Sequence, residues 1–454
     1  METLFPAVIM GYLELFAPVF RANNFQYFRG FVMATMLLGQ TRKCVTNVAR
    51  VCFFLNRHIG SWERFLSHAQ WDMGQIQRCL ISLIREKMKE HLLVCGAYLA
   101  WVDTTLIAKV KGKMPGVQKW HDHSGNADRG SHLIGHHWAL VGLMGAILLA
   151  DKWTTLCWPL LANLIPGQLS PFGFIVGSEG IARAMTFWDA VCPLIAQLHQ
   201  WLGNQPLRVV ADAYFCKASF INWMLKQGIN VITRMRKDAV GWDDPESEPP
   251  LPNGKKKRGR KSIKPRKGKK WKIAQLLQFL PLQSASVNVY GQCHTLRFVI
   301  YDLWITDVTL QKVRVVVIET LTTPLILLST DLTLSAQQII EIYGMRFSLE
   351  LAIRDLKQHF GLGHYQCTGL ISMSRFVGLA MVGFCLWRLT ALSNLDADWL
   401  QDREQTSTLS FTRISRGIRR FVVQRIFQSS APQADFQNSE AAQVVPEDIL
   451  RLVV

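Results

Sequence analysis

The sequence predicts an α/β protein, and three observations support this class. Residues 1 to about 95 carry apolar residues at helical spacing, as in Val45–Phe54 and Ile76–Leu93. Beyond them, short apolar runs typical of buried strands alternate with helical patterns, which indicates a mixed sheet. Of the 454 residues, 49% are hydrophobic and 19% are charged, enough for a large core and for two to four domains. We therefore expect an all-helical N-terminal domain ahead of an α/β core.

The net charge indicates a polyanionic partner. The chain holds 51 Lys and Arg against 33 Asp and Glu, a formal charge of +18. An enzyme acting on small molecules gains little from this excess, whereas each neutralised phosphate of a nucleic acid releases counterions. A basic protein that binds nucleic acid only non-specifically is the simpler alternative.

Cysteine usage and apolar runs bear on the compartment. The ten cysteines form no C-x-x-C pair, so we expect buried thiols of a reducing compartment and neither a disulfide framework nor a zinc ribbon. The N-terminus lacks a basic signal-peptide region. The runs Trp138–Ala150 and Phe376–Trp387 are shorter than the ~20 residues that cross a bilayer. We expect a cytoplasmic protein with no membrane partner.

The first 95 residues combine helical periodicity with positive charge. Ser61 is a candidate N-cap, and Arg42, Lys43 and Arg50 add cations. We expect a small DNA-binding domain here, with a helical cap on the catalytic core as the alternative.

Three apolar runs predict buried strands, and two of them end at an aspartate. Ala97–Val102 precedes Asp103, Leu207–Ala211 precedes Asp212, and Ile229–Thr233 is the third run. The ends of sheet strands are where α/β proteins place active sites, although an aspartate there is also a common turn residue. Helices are expected at Phe187–Leu202 and Ser219–Gln227, and one or two more strands within Trp138–Ala150.

A charged segment interrupts this pattern. An acidic, proline-containing stretch at 243–250 precedes twelve Lys and Arg residues between Lys255 and Lys272, with no acid among them. Such a segment cannot pack a core, and we interpret it as a phosphate-binding loop, the alternative being a solvated tail or localisation signal. The candidate DNA contacts in it are Lys255, Lys256, Lys257, Arg258 and Arg260. Strand-like runs then predict a β-rich insertion at Leu296–Ile305, Val313–Ile318 and Leu325–Ser329.

A helix is expected from about Ser335 to His359, and it carries four chemically active residues. Tyr343, Arg346, Glu350 and Lys357 follow at spacings of three, four and seven, which places them close to one helix face. A salt-bridged surface stripe is the alternative, since Arg346 and Glu350 are four residues apart.

This four-residue pattern resembles the YREK signature of the insertion-sequence-four group of DDE transposases. Asp103-Thr104-Thr105 looks like the first aspartate motif of that group, and Val210-Ala211-Asp212 lies in the second. The long insertion before Glu350 also fits, and the resemblance covers about residues 40 to 370. One departure is Phe347, where relatives often have Trp.

The resemblance implies an RNase H-like catalytic core that uses two Mg²⁺ ions, with Mn²⁺ able to substitute. Asp103, Asp212 and Glu350 would be the catalytic and metal-binding carboxylates, since hard cations prefer oxygen ligands. Asp103 would bridge both ions, while the other two carboxylates would each hold one. Tyr343, Arg346 and Lys357 would grip phosphates near the cleaved end.

Five histidines between His121 and His137 form a second cluster. Zinc is one interpretation, and a polar edge of the catalytic sheet near DNA is the other. By resemblance, Arg129 and Trp138 are candidate DNA contacts.

The resemblance implies cut-and-paste DNA transposition. The enzyme would bind terminal inverted repeats, cleave at their ends through a hairpin on the transposon end, and join the ends to target DNA as a homodimer in the synaptic complex. The alternatives are an inactive or domesticated DNA-binding relative, a non-mobile RNase H-like nuclease and a non-enzymatic chromatin-like protein. We expect a DNA-binding domain at 1–95, the core at 96–239 and 330–370, the basic loop and insertion at 240–329, and a C-terminal helical region and tail at 371–454.

Overall fold

The structure is a computed structural model. It describes residues 5–39, 41–109, 114–122, 131–149, 152–166, 174–176, 182–244, 268–289, 291–305, 308–309, 311–393 and 411–430. Within these ranges the helices are α1 (Ala7–Glu14), α2 (Ala22–Leu37), α3 (Val45–Val51), α4 (Ile59–Ser67), α5 (Met73–Lys87), α6 (Phe187–Trp201), α7 (Ala218–Lys226), α8 (Leu276–Phe279), α9 (Ala336–Gly344), α10 (Phe347–His359), α11 (Leu370–Ser393) and α12 (Phe411–Ser430).

The strands of the described residues fall into one large mixed sheet and one separate hairpin. They are β1 (Leu93–Val94), β2 (Ala97–Ala108), β3 (Gln118–His121), β4 (His132–Leu149), β5 (Lys152–Leu164), β6 (Phe174–Val176), β7 (Ala182–Ala184), β8 (Leu207–Ala211), β9 (Asn230–Arg234), β10 (Val240–Trp242), β11 (Lys270–Lys272), β12 (Gln283–Val289), β13 (Gln292–Trp304), β14 (Lys312–Ile318) and β15 (Leu325–Ser329).

The N-terminal region is helical, as the periodicity predicts. Asp72 caps α5, because its carboxylate accepts hydrogen bonds from the backbone N–H groups of Gly74 and Gln75. Helix α4 begins earlier than expected, with His58 as its cap, so Ser61 lies inside the helix. The apolar faces of α1, α2, α4 and α5 pack on α11, and all join one hydrophobic core with the sheet.

The large sheet runs in the order β11-β10-β13-β14-β15-β9-β8-β2-β4-β3, with β5 also paired to β4. Strands β2, β8 and β9 are mutually parallel neighbours, and the others pair antiparallel. The strands expected within a separate insertion extend this sheet, because β15 pairs with β9 through Leu328 and Thr233. The expected boundary near residue 330 therefore falls within a continuous hydrogen-bonded sheet.

Strand β2 is longer than the sequence indicated. We expected it to end at Asp103, but it continues to Ala108. The reason is β4, which pairs with β2 from Leu99 to Ala108 and satisfies its backbone along that length. The described part of the run, Trp138–Leu149, proves to be the central and terminal part of β4, which forms a hairpin with β5.

The helix expected from Ser335 to His359 is divided into α9 and α10. Arg346 N–H donates to the Tyr343 carbonyl at 3.0 Å, and Leu349 N–H to the Arg346 carbonyl at 3.0 Å, so the junction has the tighter i to i−3 pattern. Ser335 caps α9 in a capping box with Gln338.

Helix α11 is the longest of the described helices. It has 24 residues, and by length and composition alone it is long enough and apolar enough to cross a membrane. Here it is a buried helix that packs against α2, α4, α5 and β5.

Candidate active site

Two of the predicted carboxylates lie side by side because of strand register. Trp101 of β2 pairs with Val210 of β8 in parallel, and Asp103 and Asp212 each lie two residues beyond that pair. Adjacent strands are about 4.8 Å apart, so residues at equal height on parallel neighbours lie close together. The prediction that the sheet brings these two aspartates to one edge agrees with this register.

The chain around Asp212 is well anchored. Its carboxylate accepts a hydrogen bond from the Tyr214 N–H at 2.9 Å and so caps the short 3₁₀ turn that follows β8. Its backbone carbonyl accepts a hydrogen bond from the Thr233 hydroxyl of β9 at 2.7 Å. These two hydrogen bonds fix the positions of the Asp212 carboxylate and backbone at the end of β8.

Arg346 joins the first aspartate to the glutamate. Its Nη2 lies 3.4 Å from Asp103 Oδ2, and its Nη1 lies 3.1 Å from Glu350 Oε1. The side chains of Arg346 and Asp103 are 17% and 18% exposed, whereas that of Glu350 is 56% exposed. The fork of one guanidinium thus holds two carboxylates from distant parts of the chain at one place.

The environment of Asp103 disfavours its charge. Burial, with smaller contributions from the negative charges of Asp212 and Glu350, raises the pKa of Asp103 to about 6. The Arg346 guanidinium and the Thr104 N–H, 2.7 Å from Oδ1, act in the opposite direction. The raised pKa of Asp103 is therefore chiefly an effect of burial, which the cation and the N–H group offset only in part.

The remaining signature residues flank this group. Lys357 Nζ donates to the Leu106 carbonyl of β2 at 3.1 Å, which fastens α10 to the strand that carries Asp103. Tyr343 is partly buried and packs against the core at the end of α9. The structure brings Arg346, Glu350 and Lys357 to β2, as the four-residue pattern requires.

The donor set fits hard divalent cations. Asp103, Asp212 and Glu350 offer only oxygen ligands, and their mutual repulsion is what a cation would relieve. Among the described residues, no three His, Cys, Asp or Glu side chains are close enough to hold one ion together. A shared site therefore requires the exposed Glu350 side chain to turn from Arg346 towards the aspartates.

The prediction that Trp138 contacts DNA is wrong for this fold. Trp138 is fully buried, and its indole N–H donates to the Tyr365 hydroxyl at 2.9 Å. It lies on β4, where its backbone pairs with Thr105 of β2 and Leu164 of β5. Arg129 and the five basic residues Lys255, Lys256, Lys257, Arg258 and Arg260 lie outside the described residues.

The described histidines of the second cluster do not converge. His136 is buried, with Nδ1 2.7 Å from the Tyr365 hydroxyl and Nε2 2.9 Å from the Pro115 carbonyl oxygen. His137 points to the other face and packs edge-on against Trp120. The rings of His121 and His132 lie 5.2 Å apart at the end of β4. The described part of this cluster is structural.

Several exposed cations at the catalytic edge were missed in the sequence. Arg234 is the last residue of β9, which ends beside Asp212, and Arg236 and Lys237 follow it. Lys217 follows the turn after β8. The signal was available, because the basic run begins where the third predicted strand ends. Its position at the catalytic edge needed the parallel pairing of β8 with β9.

Comparison with known families agrees with this geometry. A family model described as "DDE superfamily endonuclease" matches residues 14–285, more than half of the chain. The match includes Asp103 and Asp212 and ends before Glu350. No curated protein matches the chain.

Proposed function

Because the chain belongs to the DDE superfamily endonucleases, a family of nucleases, we propose that it is a transposase of the YREK group that performs cut-and-paste transposition. The observation that carries this proposal is that Arg346 links two of the three predicted carboxylates while the third lies on the neighbouring strand. Asp103 and Asp212 are level on neighbouring strands, and Arg346 ties Asp103 to Glu350.

The strand order supports an RNase H-like core. Strands β5, β4, β2, β8 and β9 are successive neighbours, the first three antiparallel and the last three parallel. In this arrangement the first aspartate lies on the central strand, the second follows the adjacent strand, and the glutamate begins a helix packed beside them. The family match by itself supports only a DDE-type endonuclease.

Each residue has a chemical task in the proposed reaction. Asp103, Asp212 and Glu350 would hold Mg²⁺ or Mn²⁺, which supplies Lewis-acid stabilisation of the departing oxygen and activation of water or a 3′-OH. Arg346 balances part of the carboxylate charge before the ions bind, and its fork suits a phosphate afterwards. Lys357 keeps β2 and α10 together through the Leu106 carbonyl.

The proposed partner is double-stranded DNA, as terminal inverted repeats and as target, bound by a homodimer in the synaptic complex. The charge of +18 and the cations that follow β9 support DNA as the substrate. Joining two ends at one target requires two active sites, which supports the dimer.

Cleavage of a labelled duplex that ends in the element's own terminal repeat tests the function. We expect cutting at the repeat boundary with Mg²⁺, none with EDTA, and none with Asp103→Asn, which keeps the side-chain shape. Asp238→Asn is the matched control, because Asp238 is exposed and near the same edge. DNA binding without cutting by the wild type would favour the inactive relative, and cutting that ignores the repeat would favour a non-mobile nuclease.

A further inference from the structure

Two loops meet at a group of basic side chains that the proposed active site does not include. The α2–α3 connection contributes Arg42 and Lys43, and the segment after α10 contributes His364. The backbone N–H of Lys43 donates to His364 Nδ1 at 3.0 Å. Because Nδ1 accepts this hydrogen bond, the proton of the neutral imidazole lies on Nε2. His364, which is partly exposed, therefore offers a donor at Nε2 beside the exposed Arg42.

Two buried lysines hold the loops that carry these side chains. Lys43 Nζ donates to backbone carbonyls of its own loop. Lys109 Nζ donates to the carbonyls on either side of His364, at 2.8 Å to Gly363 and 2.7 Å to Tyr365. Both ammonium groups are thus engaged with the backbone, and they fix the two loops in place.

The charges that act on the His364 ring are positive. Burial, followed by the charges of Lys43, Arg42 and Lys109, lowers the pKa of His364 to about 4. Burial lowers the pKa of Lys109 to about 8, and the charge of Arg42 acts in the same direction. Within the part of the chain that the structure describes, no ion pair joins Arg42, Lys43 or Lys109 to a carboxylate. A bound anion would therefore be stabilised here by several cations at once.

Strand β2 connects this group with the first catalytic carboxylate. Side chains alternate along a strand, so Asp103, Ile107 and Lys109 point to the same face of the sheet. A Cβ atom at Gly363 would lie 2.9 Å from the Ile107 side chain, so the segment that carries His364 covers this face. Six residues separate Asp103 from Lys109, which is roughly 20 Å at about 3.3 Å per residue. The basic group therefore lies on the face of Asp103, farther along the same strand.

We propose that Arg42 and His364 bind a backbone phosphate of the DNA duplex that extends from the cleavage site, and we call this pair the Arg42–His364 site. The proposal rests on the proposed function, which places the DNA at Asp103. A guanidinium can donate two hydrogen bonds to one phosphate, and the imidazole Nε2–H can donate another. A separation of roughly 20 Å corresponds to about six base pairs at 3.4 Å each.

Two variants with equal loss of charge test the arginine. Arg42→Gln removes the charge of the site, and Lys226→Gln removes an exposed lysine. Lys226 precedes the start of β9, and the opposite end of β9 lies beside Asp212, so this control is remote from the carboxylates. The readout is fluorescence anisotropy with a labelled random duplex of about 30 base pairs, titrated from about 50 to 200 mM salt.

The salt dependence gives the expected result. For one lost phosphate contact, the slope of log K against log salt should become less steep by about 0.9 in Arg42→Gln. Binding at the lowest salt concentration should weaken about 10-fold, the effect of one charged hydrogen bond. The Lys226→Gln variant should keep the wild-type slope. The melting temperature of each variant confirms that it is folded.

A pair of substitutions separates the two nitrogens of His364. His364→Asn keeps an acceptor near the position of Nδ1 for the Lys43 N–H but removes the donor at Nε2, whereas His364→Gln keeps a donor near Nε2. We expect about threefold weaker binding in the asparagine variant and binding close to that of the wild type in the glutamine variant. Equal weakening in both would overturn the assignment of His364 as a phosphate donor.

Duplexes with one uncharged methylphosphonate test the position of the contact. In the wild type, binding should weaken most when this group lies about six base pairs from the cleavage position. The same duplex should bind Arg42→Gln hardly less well than an unmodified one, because the contact is already absent. A full additional loss in Arg42→Gln would overturn the assignment of this phosphate to Arg42.

Binding and cleavage fail separately in these experiments. A wild-type protein that does not cut would contradict the proposed function and leave the salt slopes readable. An Arg42→Gln slope equal to that of the wild type would overturn the phosphate contact, as would an equal decrease in Lys226→Gln. Loss of self-association in Arg42→Gln, with the slope unchanged, would assign the site to a second copy of the chain and also overturn the proposal.

Discussion

At the scale of single residues, Arg346 decides how the carboxylates of the site are arranged. A planar guanidinium can contact two carboxylates at once, and here it contacts Asp103 and Glu350. These residues are 243 and four positions away from it in the sequence. The same side chain thus links the sheet to α10 and limits the rise in the pKa of Asp103 that burial causes.

We expect Arg346→Lys to slow cleavage by roughly 10- to 100-fold, the value of one lost charged hydrogen bond of about 1.5–3 kcal/mol. A lysine ammonium is a single point and cannot hold both carboxylates in the same geometry. Single-turnover cleavage with Mg²⁺ measures the effect, and Arg354→Lys, on the exposed side of α10, is the control. An unchanged rate in Arg346→Lys would show that charge alone suffices at this position.

At the scale of elements, the sequence predicts the existence of strands and helices better than their ends. The two aspartates lie on or next to neighbouring parallel strands, but β2 runs past Asp103 because a partner strand, β4, continues beside it. The division between α9 and α10 follows Gly344, the last residue of α9, although Met345 and Arg346 both keep right-handed helical angles. The first error arises from tertiary pairing, which periodicity does not contain, whereas the second overlooks the glycine at the end of α9.

A glycine is needed at position 142, where β4 lies close to the Trp158 backbone and the Trp101 ring. A Cβ atom there would lie 2.0 Å from the Trp158 carbonyl oxygen and 2.6 Å from the Trp101 ring, next to a register shift between β4 and β5. We expect Gly142→Ala to lower the free energy of unfolding by about 3 kcal/mol or more.

Gly11 provides the matched control for that substitution. It lies inside α1, and a Cβ atom added there would have no neighbouring atom within 4 Å, so Gly11→Ala should stabilise the protein by about 0.5–1 kcal/mol. Urea unfolding of both variants measures the difference. If Gly142→Ala were as stable as Gly11→Ala, β4 and β5 would have moved apart to admit the Cβ atom without any loss in the free energy of unfolding.

At the scale of the whole molecule, composition and charge predicted the class of protein, while the structure determined how its parts join. The basic excess and the three carboxylates indicated a nuclease acting on DNA, and the family match agrees. Two expectations differ from the structure: the strands expected in an insertion belong to the large sheet, and Trp138, expected to contact DNA, is buried. Both depend on one sheet that extends from β11 to β3 and buries Trp138 beneath Tyr365. No local pattern specifies such a pairing.

The contact between His136 of β4 and Tyr365, in the segment after α10, makes the free energy of unfolding sensitive to acid. His136 is fully buried between the Tyr365 hydroxyl and the Pro115 carbonyl, close to Lys109. Burial lowers its pKa to about 4, so between about pH 6.5 and 4 the unfolded chain binds a proton that the folded protein does not. The free energy of unfolding therefore falls as the pH falls through this window.

At full extent the contribution of His136 is about 3 kcal/mol, since each pKa unit corresponds to about 1.4 kcal/mol. We expect His136→Gln to lose this part of the acid sensitivity, although it is less stable than the wild type at neutral pH because its hydrogen bonds change. His132→Gln is the control, as His132 is exposed on the same strand. Urea unfolding at a series of pH values compares the three proteins. The same decline in all three would mean that His136 is protonated in the folded protein, and its two hydrogen bonds would then need a different arrangement.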